Sequence, residues 1–94
     1  MAKVLLIEDE IMLAQIVTDS LEVRGFSMLH AEDGEAGWQL FRQERPDIVI
    51  MDIMMPGMDG FSLTQKIRQE DKDIPIIFLT ARSQVTDVVR GFEV

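Results

Sequence analysis

The sequence has no cysteine, which excludes disulfides and thiolate metal sites. Its single histidine, His30, cannot build a histidine metal cluster. No apolar run approaches the ~20 residues needed to span a bilayer. The amino terminus, MAKVLLIEDE, turns acidic after four apolar residues, too few for the core of a signal peptide. A soluble cytoplasmic protein is therefore expected, with no membrane partner. Positive charge is also scarce: nine Lys and Arg stand against 17 Asp and Glu, a net charge of −8 at pH 7. Gripping phosphate backbones needs a basic surface, so direct nucleic-acid binding by these residues is not expected. Internal repeats, linkers and low-complexity segments are missing too.

What is present is a chain of 94 residues, 47% hydrophobic, enough for one core and too short for two. Lys3 to Ile7 (KVLLI) reads as a strand buried on both faces. From Ile11 to Val23 the period lengthens. Leu13, Val17 and Leu21 recur every four residues, with Ala14 beside them, which makes an amphipathic helix that Gly25 stops. Phe26 to Ala31 is a weaker strand, placed nearer a sheet edge by the interruptions at Ser27 and His30. Asp33 is the expected N-cap of a second helix with Gly37, Leu40 and Phe41 on one face, ended at Arg45-Pro46. Residues 47–52 form a third strand, and Asp59 can cap a third helix carrying Phe61, Leu63 and Ile67. A polar loop at Asp71–Asp73 leads to a fourth strand, Ile74 to Thr80. Val85, Val88, Val89 and Phe92 start a fourth helix. The alternation βαβαβαβα with short loops predicts an α/β fold, a doubly wound parallel sheet with helices on both faces.

In such a sheet all strand carboxyl ends share one rim, where ligands bind. The stretch IVIMDIMMPGMDG, residues 48–60, drives four apolar residues straight into Asp52 at that rim. Glu8 and Asp9 follow the first strand and Thr80 ends the fourth. If the first and third strands are neighbours, Asp9 and Asp52 approach closely. Carboxylates that close must share protons, shift their pKa values or bind a cation. An all-oxygen pocket suits Mg²⁺, and thioether sulfur does not, so the methionines around Asp52 read as packing and loop residues. The plainer alternative is that each acid caps the helix that follows it. For the set converging on one rim, the cation site is the better reading.

The motifs LIEDE ending at residue 10, DIVIMDIMMPGMDG at 47–60 and IIFLTAR at 76–82 together span most of the chain. In order and spacing they resemble the receiver domain of bacterial two-component response regulators, the CheY-like family. Met54, Arg82 and the stretch QVTDVVRGFEV are similar to the OmpR/PhoB-type transcriptional regulators. The resemblance implies a flavodoxin-like sheet of strand order 2-1-3-4. It also implies that Asp52 is the nucleophile taking a phosphoryl group from a sensor histidine kinase. Asp9, Asp52 and the backbone carbonyl of Met54 would ligate Mg²⁺ or Mn²⁺, with Glu8 acting through water. Thr80 would hydrogen-bond the phosphoryl group and act as a switch, and the small Ala81 would keep the pocket accessible. Met54 and Arg82 would flank the site and modulate access of water. DNA contact would come from an output domain outside these residues.

The chain departs from the family pattern in one respect. The fifth strand and fifth helix are lacking, and with them the lysine that pairs with the phosphoryl group. Lys3, Lys66 and Lys72 do not stand where they could replace it. A C-terminally incomplete receiver domain over 1–94 is therefore expected. Its fourth strand would be an unprotected edge and its Leu13/Val17/Leu21 stripe partly uncovered, favouring self-association through the fourth strand or fourth helix. The competing function is a protein-interaction or dimerisation module that keeps the acidic pocket but does not switch. A third reading, a phosphohydrolase with an Asp nucleophile, needs an acid two residues after Asp52, where this chain has Met54.

Overall fold

Two hydrophobic periods alternate along the chain, and each becomes the element its period favours. A computed structural model of the chain describes residues 2–53, 55 and 58–79. They form β1 (Lys3–Ile7), α1 (Ile11–Val23), β2 (Ser27–Ala31), α2 (Gly34–Glu44), β3 (Ile48–Asp52), α3 (Gly60–Glu70) and β4 (Ile76–Leu79). All strand pairs are parallel and the sheet order is β2-β1-β3-β4, as expected for the doubly wound arrangement. Helical connections between parallel neighbours place both sheet faces under helices.

The strand side chains divide cleanly between two clusters. Leu5, Ile7, Val49 and Met51 point to the face covered by Phe41 of α2 and by Leu63 and Ile67 of α3. Val4, Leu6 and Ile50 point to the other face, against Ala14, Val17 and Leu21 of α1. A strand covered on both faces has no polar side, which is why β1 reads as an unbroken apolar run. The central position of β1, between β2 and β3, makes it the spine of the sheet.

The helix ends follow local chemistry. Gly25 takes a positive φ of 92°, while its N–H bonds the Glu22 carbonyl and that of Phe26 bonds Leu21. This pair of bonds is the Schellman stop, completed by Phe26 and Leu21 packing in one cluster. Asp33 caps α2 by accepting from the Ala36 N–H at 2.8 Å, and Asp59 caps α3 by accepting from the Ser62 N–H at 2.7 Å. Arg45 ends α2 as expected, but in the left-handed region (φ 47°) instead of the extended one usual before proline. Its guanidinium lies 5.7 Å from the Phe41 ring centroid and 3.6 Å from Glu70.

Three packing expectations change. Phe61 is 62% exposed, because the buried stripe of α3 is Gly60, Leu63 and Ile67. The α1 stripe is covered more than expected at Val17 and Leu21, buried with Ala14 against β1 and β3, while Leu13 is half-buried and Met12, Ile16 and Val23 lie exposed. β4 begins at Ile76, and Ile74 is buried in the loop before it. The expected fourth helix lies outside the described residues.

Candidate functional site

Adjacent parallel strands deliver their next residues to the same place. β1 pairs with β3 so that Ile7 lies opposite Met51, and the chain then continues into Glu8 and Asp9 on one side and Asp52 on the other. Ligand oxygens from Glu8, Asp9 and Asp52 lie within 4.8 Å of one another. The three expected acids are thus brought together at the carboxyl rim. Glu8 is 1% exposed, Asp52 is half-buried and Asp9 is exposed, so the pocket is shielded from bulk solvent at its base and open at its mouth.

The residue at the N-cap of α1 is Glu10, and its own side chain makes no capping bond. Glu8 Oε2 accepts from the Asp9 N–H at 2.9 Å, two residues before the helix begins, and its carboxyl also bonds the Glu10 backbone. Asp33 and Asp59 hold the N-cap positions of α2 and α3 as Glu10 holds that of α1, so no rim acid stands at the N-cap of a described helix.

Burial is the largest cause raising the Glu8 carboxyl from 4.5 to about 7, followed by the charge of Asp52 and hydrogen bonds to Asp9 and Asp52. A buried carboxyl beside another carboxylate resists ionisation because its negative charge is neither hydrated nor offset. A cation between the three acids would supply that offset. The donor set, carboxylate oxygens with no sulfur or imidazole, fits a hard divalent ion.

Two residues with no role in the sequence-based site help to build it. The Gly60 N–H donates to the Ile53 carbonyl at 3.1 Å. A Cβ at Gly60 would lie 2.9 Å from the Asp52 carbonyl oxygen, so only glycine lets α3 start this close to β3. His30 reaches from β2 to within 2.9 Å of the Glu8 carbonyl oxygen. A polar residue interrupting an edge strand was the only sequence signal for it. The lysines lie away from this rim. Lys3 Nζ donates to the Glu44 carbonyl at 3.0 Å, and Lys66 lies 5.6 Å from the Trp38 ring centroid. Met54, Thr80, Ala81 and Arg82, the other expected site residues, lie outside the described residues.

A family profile described as the response regulator receiver domain matches residues 4–94. The chain belongs to the response regulator receiver family. The receiver is 46% identical over 91 residues to a probable transcriptional regulator, ycf27, of Guillardia theta, covering 97% of this chain and 35% of the relative. It thus spans about a third of that relative's length. Among solved structures it is similar to the response regulator TrrA of Thermotoga maritima in complex with Mg²⁺ and BeF (TM-score 0.83, 33% identity, 98% of this chain, 80% of that one). The chemotaxis protein CheY4 of Vibrio cholerae shares the receiver fold at TM-score 0.88 and 24% identity, covering 99% of this chain and 97% of that one. The similarity to named transcriptional regulators agrees with the OmpR/PhoB-type resemblance of the motifs. Among the described residues, no helix of the receiver is long and apolar enough to cross a membrane.

Proposed function

We propose that this receiver is a phosphoacceptor in which Asp52 takes a phosphoryl group from the phosphohistidine of a sensor histidine kinase. The modified domain would then control transcription through an output domain in a longer cytoplasmic protein. The convergence of Glu8, Asp9 and Asp52 at the end of adjacent strands carries this reading. In the transfer, a carboxylate oxygen of Asp52 forms the new O–P bond as the N–P bond of phosphohistidine breaks. The imidazole leaves and regains a proton, and Asp52 becomes an acyl phosphate.

Such transfer depends on positioning and charge stabilisation more than on covalent assistance from the protein. Asp9, Asp52 and the Met54 carbonyl would hold Mg²⁺ or Mn²⁺, with Glu8 acting through water. When bound, the ion offsets the negative charge gathered around the acceptor. The TrrA complex with Mg²⁺ and BeF supports this choice of cofactor. Thr80 would hydrogen-bond the transferred group, Ala81 would leave room for the donor, and Met54 and Arg82 would govern access of water.

Transfer from a phosphorylated histidine-kinase domain tests the reading. Label should pass to the receiver in Mg²⁺, fail in chelator, and fail in Asp52→Asn at unchanged fold. Asp52→Asn that labels as well as the parent would exclude Asp52 as acceptor. A folded chain that never labels, yet assembles regardless of donor, would favour the interaction-module reading.

A further inference from the structure

His30 sits near the end of β2, in register with Leu6, and the following pair is Ala31 with Ile7. Two bonds then join β2 to the first acid of the site. The Glu8 N–H donates to the Ala31 carbonyl at 3.0 Å, and His30 Nε2 lies 2.9 Å from the Glu8 carbonyl oxygen. A carbonyl oxygen only accepts, so Nε2 carries the hydrogen and donates it. The neutral Nε2–H tautomer and the imidazolium both provide that donor.

The carbonyl held by His30 belongs to the peptide unit between Glu8 and Asp9. That unit is planar, and its other polar end is the Asp9 N–H. The same N–H donates to Oε2 of Glu8 at 2.9 Å. Rotating the plane would break the bond to His30 and swing the N–H away from the carboxylate together. One side chain on β2 therefore fixes the direction of one donor to the buried acid, which also bonds the Glu10 backbone and the side chains of Asp9 and Asp52. Because His30 is exposed, this single bond should contribute little to global stability, so its effect should appear at the site.

We infer that His30 is a positioning residue for the acidic rim: it clamps the Glu8–Asp9 peptide plane and so aims the Glu8 carboxylate toward Asp9 and Asp52. Its functional part rests on the reading of this rim as a cation site.

The test compares the full chain with His30→Phe and His30→Gln in two measurements. Amide hydrogen exchange at Asp9, in chelator, reports the clamp without metal. Calorimetric titration with Mg²⁺ reports the consequence for the site. His30→Phe should speed Asp9 exchange and weaken Mg²⁺ binding, each about fivefold, with an unchanged thermal midpoint in chelator. His30→Gln, which restores a side-chain N–H donor, should recover both. Unchanged Asp9 exchange in His30→Phe would overturn the clamp, as would His30→Gln failing as fully as His30→Phe. A parent chain that takes up no Mg²⁺ would overturn the cation reading and His30's part in it. In that event the exchange measurement still decides separately whether the peptide is held.

Discussion

Glu8 is nearly inaccessible and keeps company with two other carboxylates, so its protonation is coupled to folding. Its folded pKa of about 7 lies above the ordinary 4.5, so between those values the metal-free folded chain holds a proton that the unfolded chain has released. Stability from this group is fully present below about 4.5 and is lost as pH rises through about 7. The loss is on the order of 1–3 kcal/mol. Urea unfolding in chelator should show that decline between these pH values, and Glu8→Gln should flatten it. An equal slope in Glu8→Gln would mean the acid is not the source. Mg²⁺ competes with the same proton, so its affinity should increase with pH across that window. Asp52 was legible as the residue ending an apolar strand, and Asp9 as its partner once neighbouring strands were assumed. His30 was not, because its role depends on a contact across 22 positions that no local pattern encodes.

At the scale of elements, two glycines separate stability from function. A Cβ at Gly37 would meet the Ile7 side chain at 2.5 Å, inside the cluster that joins α2 to the sheet. Replacing a helical glycine by alanine gains up to ~1 kcal/mol of propensity, but overpacking a filled core costs about 1–3. Gly37→Ala should therefore unfold at lower urea concentration while keeping Mg²⁺ binding. At Gly60 the obstacles are the Asp52 carbonyl oxygen at 2.9 Å and the Ile53 Cα at 3.0 Å, both backbone, so the end of β3 itself must move. Gly60→Ala should weaken Mg²⁺ binding as well as stability, and calorimetry on both variants separates the two outcomes. Asp33→Ala removes the cap of α2 and should cost about 1 kcal/mol in urea unfolding without touching the site. The caps at Asp33 and Asp59 could be read from residue type and position. Phe61 could not, because a stripe three or four residues wide tolerates a one-position error in which face is buried. The left-handed Arg45 was not legible either, because proline biases its predecessor toward extended backbone and no local signal marks this exception.

At the scale of the molecule, the acidic chain gathers three of its carboxylates at one rim, and the βαβ connections bring them there. The sheet order was open to sequence reasoning because parallel alternation and the family resemblance leave few arrangements. If the rim takes Mg²⁺ only when folded, the ion must stabilise the whole domain by mass action. At a hundredfold excess over the dissociation constant the gain is about 2.7 kcal/mol. A thermal midpoint that rises with Mg²⁺ in the parent chain and stays fixed in Asp9→Asn would meet that expectation. Equal shifts in both would place the ion elsewhere. The most direct test of the central claim is to find where a phosphoryl group goes. The chain would be incubated with Mg²⁺ and a small phosphodonor, reduced with borohydride to trap any acyl phosphate, and mapped by peptide mass spectrometry. Reduction confined to Asp52, and absent in chelator, is the predicted result. A folded chain modified at Glu8 or Asp9, or not modified at all, would contradict the assignment of Asp52 as phosphoacceptor.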